Sequence, residues 1–113
     1  MSKIIGIEEK DGILIISTEG YLNKDLALAV MEEASKYIDN GTTNILINLS
    51  KSNIVNSIGA SIIIELIEKL QEVNGSLSFC ELPSIIEKTF KIMGLTKYCD
   101  TFENQEAALE QLT

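Results

Sequence analysis

Short β-branched runs alternate with stretches of helical period along this chain. That order leaves little to build except a sheet with helices laid against it. Lys3 to Glu9 and Ile13 to Thr18 are the first two runs. Lys10-Asp11-Gly12 stands between them, and Asp-Gly is a strong tight-turn signal, so an antiparallel hairpin is predicted. Asn23 is placed to cap a first helix, with Asp25 in its first turn, where the helix dipole favours a negative charge. Leu26, Val30, Ala34 and Ile38 then recur every four residues on one face, and Asn40-Gly41 stops the pattern. Asn44 to Leu49 is a compact apolar strand. A polar loop, Ser50-Lys51-Ser52-Asn53, is predicted to follow it.

A second helix is predicted from about Ser57 to Val73. Ile62, Leu66 and Leu70 form its buried stripe, and Glu65, Glu68, Lys69 and Glu72 its wet face. Asn74-Gly75 ends it, Ser76 to Cys80 forms another strand, and Pro83 opens a third helix marked by Ile86, Phe90 and Met93 and stopped by Gly94. Tyr98 to Phe102 could form a last short strand, and Ala107, Ala108 and Leu112 suggest a C-terminal helix. The expected fold is α/β: a mixed four- to five-stranded sheet with an N-terminal antiparallel hairpin, crossover connections and about four helices. One domain is expected over 1–113.

Composition narrows the chemistry. All nine cations are Lys, against seventeen Asp and Glu, for a formal charge of -8; there is no Arg, His or Trp. Without His there is no Ser-His-Asp triad, no Cys-His pair and no His-ligated zinc. Without Arg there is no guanidinium clamp for a phosphate. An acidic chain repels nucleic acid and anionic membrane surfaces, so protein partners are expected. No apolar stretch is long enough to span a bilayer, and Glu8-Glu9 closely follow a start that does not read as a signal peptide. Cys80 and Cys99 lack metal or redox spacing and read as free thiols in a reducing cytoplasm. No phosphate-binding glycine loop occurs, and the central strand ends in Asn48, an amide that cannot attack phosphorus. No metal, cofactor or enzymatic activity is expected.

The informative stretch is Asn56-Ser57-Ile58-Gly59. Asn56 is a natural N-cap, and Ser57 would be the first residue of the second helix. Its hydroxyl would stand at the positive end of the dipole, beside unpaired amides that favour an anion. Gly59 is unusual in a first turn, and a close approach by a partner is one reason to keep it. Ser61, four residues on, would share the face of Ser57.

Taken together these pieces resemble the STAS domain family, in particular its small stand-alone anti-sigma factor antagonists. Gly20-Tyr21-Leu22-Asn23 is similar to the family's glycine-x-leucine-aspartate turn after the second strand. Asn56-Ser57-Ile58-Gly59 is similar to its aspartate-serine-serine/threonine-glycine motif. Gly75 before the fourth strand and Phe90 with Gly94-Leu95 also fit. Asn23 and Asn56 replace the two motif aspartates, Ile58 the second hydroxyl residue, and Ala60-Ser61 a leucine-glycine pair. The resemblance implies a cytoplasmic regulator that works by partner switching. Its unphosphorylated form would bind an anti-sigma factor that is also a serine kinase, phosphorylation of Ser57 would release it, and a serine phosphatase would reset it. The partner-binding residues implied are Gly20, Tyr21, Leu22, Asn23, Asn56, Ser57, Ile58, Gly59, Ala60 and Ser61, on a chain expected to be monomeric. The alternative is a STAS module that is not switched, serving as an interaction or small-ligand-binding domain.

Overall fold

The computed structural model describes residues 2–113. Five strands, β1 (Lys3–Lys10), β2 (Ile13–Leu22), β3 (Asn44–Val55), β4 (Ser76–Cys80) and β5 (Asp100–Phe102), form one sheet in chain order. The helices are α1 (Lys24–Asp39), α2 (Ser57–Glu72), α3 (Ser84–Met93) and α4 (Gln105–Leu112), with a single 3-10 turn at Leu95–Lys97. The fold is thus α/β, with a mixed five-stranded sheet and four helices. β1 and β2 are antiparallel and joined by Asp11-Gly12, both at positive φ (53° and 82°), as a two-residue hairpin turn requires. β2 to β5 are mutually parallel, so each further strand is reached through a helical crossover.

Alternation along the strands sorts side chains onto two faces. Leu14, Ile16, Ile45, Ile47, Leu77 and Phe79 face one way and meet α1, α2 and α3. Phe79 and Phe90 anchor this main core, ring centroids 4.9 Å apart at 52°. Ile13, Ile15, Leu46 and Cys80 face the other way and meet α4. Central strands buried on both faces read as unbroken apolar runs, which is why Ile13–Ile16 and Ile45–Ile47 show no alternation in sequence. At the free edge, the β1 ladder shifts register between Ile4 and Gly6. That bulge, with exposed Glu8, Glu9 and Lys10, blunts the edge against pairing with another strand.

The expected polar loop at Ser50–Asn53 is not a loop. β3 runs on to Val55, and β2 runs past Thr18 to Leu22, pairing Glu19 with Lys51, Gly20 with Ser52, Tyr21 with Ile54 and Leu22 with Val55. Lys51, expected in a loop, is an exposed strand residue. Two register shifts absorb the sequence mismatch, one between Ser17 and Glu19 and one between Gly20 and Tyr21. The polar residues are tolerated because Thr18 Oγ1 and Ser52 Oγ, both buried, share a 2.6 Å hydrogen bond. Strand pairing therefore overrides local composition. The last strand is also shorter than expected: Tyr98 ends the 3-10 turn as its C-cap, and only Asp100–Phe102 pairs with β4.

Removing one member of the buried hydroxyl pair strands the other. Ser52→Ala is expected to lower the unfolding free energy in urea by about 1–3 kcal/mol. Thr18→Val combined with Ser52→Ala removes both hydroxyls and is expected to cost less than Ser52→Ala alone.

Candidate functional site

The parallel strands β2 and β3 end side by side at Leu22 and Val55, and each turns at once into a helix. The two exits are built alike. Asn23 is extended (φ -101°, ψ -171°), and its Oδ1 accepts the Leu26 N–H at 3.0 Å. Asn56 is extended (φ -105°, ψ 171°), and its Oδ1 accepts the Gly59 N–H at 2.7 Å. Both asparagines are the N-caps expected of them, each satisfying a backbone donor that has no partner inside its helix.

The two turns are also locked together. The Leu22 carbonyl accepts a long bond from Asn56 N at 3.4 Å. A β-carbon at Gly59 would collide with the Leu22 carbonyl oxygen and lie 3.1 Å from its carbon. Gly59 therefore answers a close approach, as its place in a first turn suggested, but the neighbour is Leu22 of the same chain and not a partner. The stretches Gly20–Asn23 and Asn56–Gly59, far apart in sequence, form one piece of structure.

Within that piece the expected surface residues divide. Leu22 is 1% exposed and Ala60 0%, and Gly59 is buried. These three form the floor of the piece, and their side chains are not at its surface. Ser57, Ile58, Ser61 and Tyr21 are exposed, and Gly20, Asn23 and Asn56 are half-buried. Ser57 is the first residue of α2, and its carbonyl accepts the Ser61 hydroxyl at 2.8 Å, so Ser61 is tied back to its own helix. Ile58, beside Ser57, is 55% exposed, a large fraction for an isoleucine next to a helix cap.

One residue of the site escapes a reading from sequence. Ile54 is the strand partner of Tyr21, and the two are 40% and 38% exposed. They lie on the opposite sheet face from buried Leu22 and Val55, since neighbours along a strand point apart. The period-2 signal that marks Ile54 as outward is present only once β3 is extended through the polar residues before it.

A second polar cluster joins Asn48 of β3, Glu81 just after β4 and Gln105 at the start of α4. Asn48, 9% exposed, donates through Nδ2 to Gln105 Oε1 at 2.9 Å and Glu81 Oε2 at 3.3 Å, and accepts the Ser50 N–H at 2.9 Å. Among the described residues, no group of three or more His, Cys, Asp or Glu side chains is placed to hold a metal ion. No helix there is long and apolar enough to cross a membrane. Cys80 and Cys99 are free and buried, and burial pushes each thiol up to about 12.

These features define a single-sheet α/β domain whose distinctive exposed chemistry is a serine at the capped start of a helix. The STAS domain family matches residues 5–108, and the chain belongs to that family. It is 26% identical over 102 residues to a Bordetella bronchiseptica protein named "Putative anti-sigma factor antagonist BtrV", covering 90% of this chain and 88% of that protein. An anti-sigma factor antagonist from Mycobacterium paratuberculosis has the same fold, with a TM-score of 0.83 at 20% identity over 98% of this chain and 93% of the other. So does the Bacillus cell fate determinant SpoIIAA in its phosphorylated form, with a TM-score of 0.77 at 19% identity over 96% of this chain and 98% of the other.

Two substitutions test the geometry. Gly59→Ala must push α2 away from Leu22 and is expected to destabilise the domain by about 1–3 kcal/mol. Asn56→Ala is expected to cost about 0.5–2 kcal/mol, whereas Asn56→Asp is expected to cost nothing, because aspartate caps equally well and its charge favours the positive end of α2. Chemical denaturation of each variant measures both.

Proposed function

We propose that this chain is an anti-sigma factor antagonist that works by partner switching, with Ser57 as the phosphoacceptor. Unphosphorylated, it binds an anti-sigma factor that is also a serine kinase. Phosphorylation of Ser57 ends the complex, and a serine phosphatase restores the binding form. The chain acts as a monomer in the cytoplasm and contributes no catalytic group; ATP and magnesium belong to the kinase.

The observation that carries this reading is the exposure of Ser57 at the first position of a firmly capped helix. Three things follow from elementary electrostatics. The hydroxyl is accessible to a kinase without unfolding. A phosphate there meets the positive end of α2, so the domain tolerates it. The added charge of roughly -1.5 to -2 sits beside exposed Ile58, where it would oppose docking of an apolar partner surface. Family membership and the name borne by the Bordetella relative support the same reading.

The asparagine caps bear on the partner. Asn23 and Asn56 keep the local shape but bring no charge, so a partner groove need not supply a cation opposite them. Contact then rests on Tyr21, Ile54, Ile58 and the serine itself.

The test is affinity capture from native cytoplasm with wild type, Ser57→Ala and Ser57→Asp as baits, each first checked for an unchanged melting temperature. Wild type and Ser57→Ala are expected to capture a small ATP-binding kinase, and Ser57→Asp to lose it by at least roughly tenfold. Equal capture by all three would overturn the switch and leave an unswitched STAS interaction or ligand-binding module.

A further inference from the structure

The two faces of the sheet are covered very unequally. The main core draws buried side chains from three helices, including Leu26, Val30, Leu66, Leu70, Ile86 and Phe90. The other face has α4, eight residues long, which buries only Ala108 fully and sets Leu109 and Leu112 partly against the sheet. Beneath it lie Ile13, Ile15, Leu46 and Cys80, all at most 2% exposed.

What holds the start of α4 in place is a polar clasp. Asn48 Nδ2 donates to Gln105 Oε1 at 2.9 Å, and Glu81 Oε2 accepts both Asn48 Nδ2 and the Gln105 backbone N–H, each at 3.3 Å. Asn104 caps the helix internally, accepting the Ala107 N–H at 2.8 Å. Glu81 holds its carboxylate in the clasp from a left-handed backbone, φ 57°, while its own N–H bonds the Phe102 carbonyl at 3.2 Å. A residue other than glycine stays in that region only while its neighbours hold it there. The clasp is thus made of few bonds, around a strained residue, on a helix with little apolar area.

We infer that α4 is a detachable latch that opens while the main core stays folded, and that it gates Cys80. Segments that bury little apolar surface open locally more often than the domain unfolds as a whole. Opening α4 uncovers the strip Ile13, Ile15, Leu46 and Cys80 and turns a sealed thiol into a reactive one. The closed thiol is inert twice over, because it is out of contact with reagent and burial keeps it protonated. Cys99 is the internal control. It lies in the main core and is free, like Cys80.

The two thiols separate a fixed structure from a latch. In a rigid molecule Cys99, at 9% exposure, is attacked before Cys80, at 0%. With a latch the order reverses. The full-length protein is treated with excess iodoacetamide in native buffer, and labelling of each cysteine is followed by peptide mass spectrometry. In that reaction the thiolate sulfur forms a bond to carbon as iodide leaves, and the thiol proton passes to buffer. Cys80 is expected to label roughly tenfold or more faster than Cys99. Asn48→Ala and, separately, Gln105→Ala each remove part of the clasp, and each is expected to speed Cys80 several-fold while leaving Cys99 unchanged. Faster labelling of Cys99, or equal rates that both follow global unfolding in urea, would overturn the latch. Cys80 rates unmoved by both variants would overturn the clasp.

Discussion

The end of the sheet where β2 and β3 pass into α1 and α2 depends on the Leu22 carbonyl lying against Gly59. It holds the exit of β2 against the entrance of α2. It brings the first turn of α2 against the β2 exit, beside the exposed Ser57. The two helices pack on each other and contribute buried alanines and branched residues to the main core, Ala27, Val30 and Ala34 from α1 and Ala60 and Ile63 from α2. Lys69 Nζ adds a polar tie to Ser35 Oγ at 3.2 Å. The Asn56 cap sets where α2 begins, and the carbonyl contact sets how closely its first turn approaches β2.

Much of this was legible in the residues because the deciding forces were local. Asp11-Gly12 closes a hairpin by its own backbone preferences, and Asn23 and Asn56 cap helices through bonds spanning three residues. What was not legible depended on distant partners. Ser50–Asn53 is a strand only because β2 lies beside it and Thr18 meets the Ser52 hydroxyl. The two Asn-Gly pairs look interchangeable, yet Gly41 takes the left-handed turn after α1 and Asn74 takes it after α2. Gly75 is left to pass close to the Thr43 backbone. The neighbour of Gly59 and the joining of Asn48, Glu81 and Gln105 likewise require the tertiary fold.

Replacing a carboxylate cap by an amide changes electrostatics more than shape. An aspartate cap adds a favourable interaction with the helix dipole of about 0.3–1 kcal/mol, and Asn56 forgoes it. The same aspartate would repel a dianion on the next residue. An amide there removes that repulsion, so Asn56 makes an unphosphorylated helix start slightly less stable and a phosphorylated one easier to accommodate. The strong acidity of the whole chain works in the other direction, since each added negative charge joins a formal -8.

A carbonyl resting on an α-carbon is a joint with no side chain in it. Exposed residues such as Tyr21, Ile54 and Ile58 can therefore change without disturbing the frame that presents them. After gene duplication, two copies of such a domain could diverge in these exposed residues and keep identical skeletons. Parallel signalling circuits in one cell could then be insulated from one another by surface substitutions alone.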